Sequence, residues 1–378
     1  MNFDLDETQQ LILKTARDFS DRELVPRAGS IDREGKIPRE VLKGLADAGL
    51  LGVNVDETLG GSAAGVVSYS LAMSEISRGC ASTGVTMAVS NMVNEVIAKF
   101  GTDAQREKYC PALCDGSLVA GSFALSEPEA GSDPGAMRTT ATLDGDHYVI
   151  DGAKQWITSG DFAGVFIVWA RTGGTGTKGI STFLVERTTP GLSVGHHEDK
   201  MGLRGSSTTA LHFSGCRVPA SALLGELHGG FKIAMMALDG GRIGIASQAI
   251  GIGEAALAAA VEYAKERKAF GKSIADFQAI QWMLADSRTE LDAARVLTMR
   301  AASLKESSKS FSQEAAMAKL YSSEAAGRVC DRALQIHGGY GYVKEYDVER
   351  HYRDVRVTRI YEGTSEIQRV VISRGVLA

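Results

Sequence analysis

The sequence predicts a multidomain α+β protein: a helical N-terminal domain over residues 1–120, a small β-barrel or sandwich over 121–228, and a C-terminal helical bundle over 229–378. Three observations predict it. The hydrophobic period is helical up to about Gly121, drops toward two as far as Pro219, and becomes helical again from about Phe231. A chain of 378 residues is longer than one core normally serves. Its 44% hydrophobic content is ample for packed interiors.

The N-terminal helices are read from caps and spacing. Asp6 with Gln9 forms a capping box. Leu11, Thr15, Ala16 and Phe19 then recur at helical spacing, and Pro26 is expected to close the segment. A second helix is expected after Pro38, through Val41, Leu42, Leu45 and Ala48, stopping at Gly49. Longer helical patterns cover about 65–80, 83–100 and 103–115. The strand candidates are His147–Ile150, Gly164–Trp169, Ser181–Val185 and Ala210–Phe213, separated by Gly, Asp and Thr clusters. In the last region Ile280, Leu284, Ser287, Leu291, Ala294, Thr298 and Ala301 step by four and three. So do Ala316, Leu320, Ser323, Gly327, Cys330 and Leu334. The small residues in these seams let helices approach closely.

Composition narrows the function. With 41 Lys+Arg against 46 Asp+Glu, the net charge of −5 gives no general reason to bind nucleic acid or an anionic membrane. No uninterrupted apolar run approaches a membrane span. The acidic start, Asn2-Phe3-Asp4-Leu5-Asp6-Glu7, resembles neither a secretory signal nor a transit peptide. Five cysteines without a CxxC pair argue against a disulfide framework or zinc cluster. A reducing prokaryotic cytoplasm is the expected location, in preference to a mitochondrial matrix. Seven histidines are scattered, and His196-His197 would point to opposite faces of a strand, so no metal site is expected.

Two motif matches fail on context. Gly174-Thr175-Gly176-Thr177-Lys178-Gly179 fits GxGxxG, but the run Ile180–Val185 after it reads as a strand where a dinucleotide site needs a helix. Gly271-Lys272-Ser273 resembles the end of a P-loop, but the first glycine would fall on Glu266.

Three segments carry chemistry. Phe123–Asp133 reads alone as a helix cap, because Ser126 with Glu129 forms a capping box and Pro128 suits a first turn. Its alternative is a cradle for a polar ring or phosphate, with Gly131-Ser132 exposing N–H groups. Trp156-Ile157-Thr158 ends a β segment. Its tryptophan is either a core residue or an indole against a flat cofactor, with the Thr158 hydroxyl at the edge. In Ile360–Gln368, Ser365 with Gln368 predicts a helix start, leaving Glu362 in the loop before it. That acid is either solvated at a helix N-terminus or held in an apolar slot beside Tyr361 and Gly363. In the slot its pKa would rise, as suits a general base for a carbon acid.

Taken in order with Lys200–Ser206, Glu266–Gly271, Gln335–Tyr342 and Arg350–Asp354, these segments make the chain resemble the acyl-CoA dehydrogenase family along essentially its whole length. The resemblance implies that family's fold, with a four-helix bundle in the C-terminal domain. It also implies FAD as cofactor. Phe123, Leu125, Ser126, Gly131, Ser132, Trp156, Ile157 and Thr158 match the flavin segments, and Ser132 also matches a CoA contact. Arg267, Phe270, Phe277, Gln278, Gln335, Ile336, Gly338 and Gly339 match segments that reach the FAD of a neighbouring subunit, and Thr364 and Glu366 lie beside the cofactor. A homotetramer, a dimer of dimers, is implied.

Glu362 matches the catalytic base, with Arg242 beneath it and Gly363 beside it. Asp239, Tyr361, Gly363 and Ser132 with Arg242 match substrate contacts. A few branches place the base on a C-terminal helix, where this chain has Gly241. The implied reaction is dehydrogenation of a short or short-branched acyl-CoA to the trans-2-enoyl-CoA. Electrons would pass from the flavin to electron-transfer flavoprotein. From Gly79 to Ala98 there is no Lys or Arg to pair a dicarboxylic substrate, and the corresponding arginine of glutaryl-type relatives aligns with Gly84. Ser90, Asn91 and Asn94 leave a substituted or cyclic acyl group open. The other readings are a cyclic, aromatic-substituted or dicarboxylic acyl-CoA dehydrogenase, and an oxidase, monooxygenase or non-catalytic flavin-binding relative.

Overall fold

The computed structural model describes residues 4–378, so Asn2 and Phe3 of the acidic start lie outside the described residues. The N-terminal helices are α1 (Glu7–Phe19), α2 (Ala28–Glu34), α3 (Arg39–Asp47), α4 (Gly65–Gly79), α5 (Ala81–Phe100) and α6 (Asp103–Cys114). Asp6 and Gln9 make the reciprocal capping box, and Gly49 ends α3 with φ 71°. Pro26 does not close the first segment. The chain continues through a π turn (Ser20–Leu24) and a 3-10 turn (Val25–Arg27) into α2. A proline in a first turn has no N–H to lose there.

The strands β1 (Gly121–Ala124), β2 (Thr140–Asp144), β3 (His147–Thr158), β4 (Val165–Arg171), β5 (Ile180–Glu186), β6 (Leu192–His197), β7 (Thr208–Pro219) and β8 (Leu223–Leu224) form one sheet. Its order is β6-β7-β3-β2-β4-β5-β8, with β1 parallel to β4. Sequence periodicity did not find β1, β2, β6 or β8. β2 is mostly exposed, β6 is an edge strand, and β8 is two residues long. β4 is buried on both faces, and its side chains alternate between two cores. Phe166, Val168 and Ala170 fill the interior of the middle domain. Val165, Ile167 and Trp169 face the helices, where Trp169 Nε1 donates to Gly230 O at 2.7 Å. Gly174–Gly179 is the loop of the β4–β5 hairpin.

Helix α7 (Gly230–Glu266) begins the last domain. A short hairpin of β9 (Lys268–Ala269) and β10 (Lys272–Ser273) follows, then α8 (Gln278–Glu306), α9 (Ser312–His337), α10 (Val348–Val355) and α11 (Ser365–Leu377). The seams hold at Ser287, Leu291, Ala294, Thr298 and Ala301 on α8 and at Ala316, Ser323 and Cys330 on α9, all buried. Helix α7 is long and apolar enough to cross a membrane, but most of it is buried inside the fold. It is the central helix of the bundle.

The Lys200–Ser206 loop ties the domains together. Leu203 N–H donates to the buried Asp354 Oδ1 at 2.6 Å. Gly205 packs against Ile31 and Ser82 of the N-terminal domain. Arg353 Nη2 meets Asp32 Oδ2 at 2.8 Å. A Cβ on Gly202 would collide with Arg353 O, a backbone atom that cannot swing aside. Gly202→Ala is therefore expected to cost about 1–3 kcal/mol, the usual range for overpacking, measured by urea unfolding of the FAD-loaded protein. A change under about 0.5 kcal/mol would contradict this packing.

Candidate active site

The carboxylate of Glu362 sits in the loop between α10 and α11. Glu362 (φ 54°) and Gly363 (φ 90°) are both left-handed, which turns the chain sharply before Thr364 caps α11. Such a conformation is costly for glutamate and persists only where surroundings fix it. Gln368 Nε2 donates to Glu362 O at 3.1 Å and to Gly363 O at 2.8 Å. Lys319 Nζ of α9 donates to Gly363 O at 2.7 Å. The cap differs from the expected Ser365–Gln368 pair. Thr364 Oγ1 accepts from Ile367 N, which leaves Gln368 to brace the turn.

Glu362 Oε2 is buried with no hydrogen-bond partner. Burial pushes this carboxyl up to about 7, against the opposing pull of Arg242 and then Lys319. Arg242 is buried and paired with Asp239, which also accepts from Ser312 Oγ at 2.9 Å. Asp239, expected to touch substrate, is thus committed to orienting Arg242. The Tyr361 hydroxyl is hydrogen-bonded to Gln248 Oε1 of α7.

The Glu362 carboxylate lies against α7, where Leu238, Gly240 and Gly241 are only half-buried. A Cβ on Gly241 would lie 2.7 Å from Glu362 Oε2 and 3.2 Å from Met92 Sδ. A Cβ on Gly240 would lie 2.9 Å from Lys305 Nζ. Lys305 pairs with Glu95 at 2.7 Å, and Asn54 Nδ2 also donates to Glu95. On α5, the polar side chains singled out in the sequence have partners within the N-terminal and middle domains. Asn91 bonds Val53, Leu50 and Met87, and Asn94 Nδ2 donates to Cys110 O and Cys114 Sγ while its Oδ1 is buried without a partner. Ser90 Oγ accepts from Gly121 N. Gly84 packs on Ser77 of α4. Met92 and Glu95, one helical turn apart, are the α5 residues that approach Gly241 and Gly240.

The second cluster lies on the middle domain. Ser126–Glu129 caps no helix. Glu127 and Ala130 exchange backbone hydrogen bonds at 3.1 Å, closing a tight turn over Pro128 and Glu129. The Glu127 carboxylate accepts from Arg138 N at 2.6 Å, Thr139 N at 3.0 Å and the fully buried Lys154 Nζ at 2.8 Å. Lys154 also donates to Leu125 O at 3.1 Å. Beyond this pinned turn the surface is open. Trp156 has φ 64° and is 60% exposed, so it is no core residue. A Cβ on Gly131 would meet nothing within 4 Å, and Ser132 beside it is exposed. Leu125 and Ile157 are buried beneath, while Phe123, whose ring packs against Trp169, Ser126 and Thr158 are partly open.

A third cluster lies at the far end of the bundle. Arg267, Ile336, Gly338, Gly339, Tyr263 and Tyr340 line a groove of about 470 Å³. Phe270 beside it is 96% exposed and packs edge-on to Phe277, with Gln278 and Gln335 also at the surface. No hydrogen bond or ring contact among the described residues joins this cluster to the middle-domain surface. Thr364 and Glu366 stand at the start of α11, Glu366 exposed. No group of metal ligands occurs among the described residues.

The sequence matches the acyl-CoA dehydrogenase N-terminal domain over residues 6–117, the middle domain over 122–216 and the C-terminal domain over 228–377. The chain belongs to the acyl-CoA dehydrogenase family. It is 52% identical over 376 residues to the mitochondrial short-chain specific acyl-CoA dehydrogenase of Bos taurus, covering 99% of this chain and 91% of the relative. The structure of butyryl-CoA dehydrogenase from Megasphaera elsdenii superposes with a TM-score of 0.98 at 44% identity, covering 100% of both chains. A chain of the structure described as electron transferring flavoprotein of Acidaminococcus fermentans gives the same values. The protein is an FAD-dependent oxidoreductase of the acyl-CoA dehydrogenase class.

The residues present fit FAD. The exposed Trp156 offers a flat apolar face and the open Gly131-Ser132 segment offers backbone donors, which suits an isoalloxazine ring and a phosphate. Lys154, Glu127, Lys319, Gln248, Glu95 and Lys305 went unread in the sequence. Lys154 left a signal: it is a lysine at an inward position of β3, in step with Tyr148 and Ile150.

Proposed function

We propose that the protein dehydrogenates a short or short-branched acyl-CoA to the trans-2-enoyl-CoA, with Glu362 as the base that takes the α-proton. The observation that carries this reading is the enclosed Glu362 carboxylate, with one buried, unpartnered oxygen beside Gly241 of α7. A thioester acidifies its α-C–H, and a base with a pKa near the working pH abstracts it most effectively. The Glu362 N–H finds no acceptor among the described residues. It is free to meet the negative charge that develops on the thioester oxygen. Bound FAD supplies the acceptor for the β-hydride, and Leu125, Ser126, Ser132, Trp156 and Thr158 would hold it. Electron-transfer flavoprotein is the proposed electron acceptor, by likeness to the Acidaminococcus structure. The exposed Phe270, Trp282, Tyr340 and Tyr342 fit contact with further copies of the chain, as in a homotetramer.

The Glu95–Lys305 pair supports a short chain. An acyl tail that reached it would desolvate or displace two paired charges. Lys305 and Arg242 already hold carboxylates and Lys319 faces the base itself, so a terminal carboxylate would stand unpaired. Specificity constants for butyryl-, isobutyryl-, 2-methylbutyryl-, octanoyl-, palmitoyl- and glutaryl-CoA test this. The expected order places the four- and five-carbon substrates first. A clear preference for palmitoyl- or glutaryl-CoA would overturn it. Turnover is expected to rise with pH through about 7, as Glu362 loses its proton. Stability moves the opposite way. The folded state holds this proton above the unfolded pKa, so the burial cost is absent at low pH and grows as pH rises toward 7.

A further inference from the structure

Lys319 is a lysine with no solvent-exposed surface, and it takes no part in the chemistry described so far. Its Nζ has one hydrogen-bond acceptor among the described residues, Gly363 O at 2.7 Å. No carboxylate lies within ion-pair distance of it. The anion that acts on it most strongly is Glu362, ahead of Glu324 and Glu366. Glu362 Oε2, in the residue next to Gly363, is likewise buried, and it is without a partner. A buried ammonium is costly, and ordinarily it is either paired directly or replaced by an apolar side chain of the same volume. Here it is neither.

We propose that Lys319 is a positioning residue for the base: its ammonium pins the left-handed Glu362–Gly363 turn and presents a fixed positive charge to the Glu362 carboxylate. This rests on the reading of Glu362 as base. The charged and titratable groups around that carboxylate are few. Helix α7 presents Arg242, already paired with Asp239, and α9 presents Lys319 and Glu324. Helix α11 presents Glu366, α4 presents Tyr69, and the neighbouring Tyr361 is bonded to Gln248. Glu95 of α5 is paired with Lys305 of α8. Lys319 is therefore the cation nearby that no carboxylate already pairs. Removing its charge leaves Arg242 alone to favour the ionised base. The base would then take up its proton at higher pH, while flavin and substrate sites stay intact.

The test is anaerobic flavin reduction by butyryl-CoA across pH, with wild type, Lys319→Met, Lys319→Gln and Lys319→Arg, all FAD-loaded. The expected result is an acid limb displaced upward by roughly one pH unit or more in Lys319→Met. Lys319→Gln, which keeps a donor for Gly363 O, is expected to show the same displacement. Lys319→Arg is expected to stay close to wild type. A lower plateau with an unmoved acid limb in the Met and Gln variants would show a mere strut and overturn the proposal. The wild-type protein gives an independent check through NMR titration of ¹³C-labelled lysine. A Lys319 neutral at pH 7 overturns the proposal whether or not the variants fold. Wild-type flavin that no acyl-CoA reduces would instead overturn the assigned reaction and leave the NMR result standing.

Discussion

Glu362→Gln is expected to keep FAD and substrate binding while losing nearly all turnover. The amide preserves the shape of the side chain and the left-handed turn, but it cannot accept a proton. Loss of a general base typically lowers rates by about 10²–10⁴-fold, and by more where nothing substitutes. No other acid takes its place here: Asp239 is tied to Arg242 and Glu95 to Lys305. Position 241, beside the Glu362 carboxylate, holds glycine. The check is the single-turnover rate of flavin reduction, compared with the equilibrium binding of an enoyl-CoA. A variant that reduces its flavin at the wild-type rate would remove Glu362 from the role. Gly241→Glu combined with Glu362→Gly would bring a carboxylate to the same space from the α7 side. Partial recovery of the rate would show that location of the charge, more than the loop that bears it, sets the chemistry.

The second large effect is on stability and cofactor retention. Lys154→Met leaves Glu127 buried beside two backbone donors but without its counterion. Breaking a buried pair from one side typically costs about 3–5 kcal/mol, because the remaining charge stays desolvated. The same change releases Leu125 O, so the turn beneath the proposed flavin site loosens. Urea unfolding and the FAD dissociation constant are both expected to move, with weaker flavin binding. Adding Glu127→Gln to Lys154→Met removes the stranded charge and is expected to restore part of the stability. If the double variant were no more stable than the single, the cost would lie in packing and not in charge.

Much of the fold was legible because local signals and tertiary packing agreed. The Asp6 cap, the Gly49 stop and the α8 and α9 seams are each set by their own residues. Pro26 misled because a proline permits a first turn as readily as it ends a helix. Strands β2 and β6 carry too little buried surface to impose a period of two. The site divided the same way. Glu362 was readable because the family likeness pointed to it, while its own residues left a solvated helix-terminal acid equally open. Lys319 was not: within α9 a lone lysine reads as solvated, and only the packing of α9 against the Glu362 loop buries it. The bonds of Asp239 and Asn91 were hidden for a related reason. Their polarity was visible in the sequence, but the partners that consume it are distant in the chain or a helical turn away.

The most direct measurement is anaerobic stopped-flow absorbance of the purified yellow protein mixed with butyryl-CoA, with analysis of the thioester product. The account predicts bleaching of the oxidised flavin band and formation of one trans-2-enoyl-CoA per FAD, with a rate that rises through about pH 7. Flavin that stays oxidised with every acyl-CoA of the panel would contradict it.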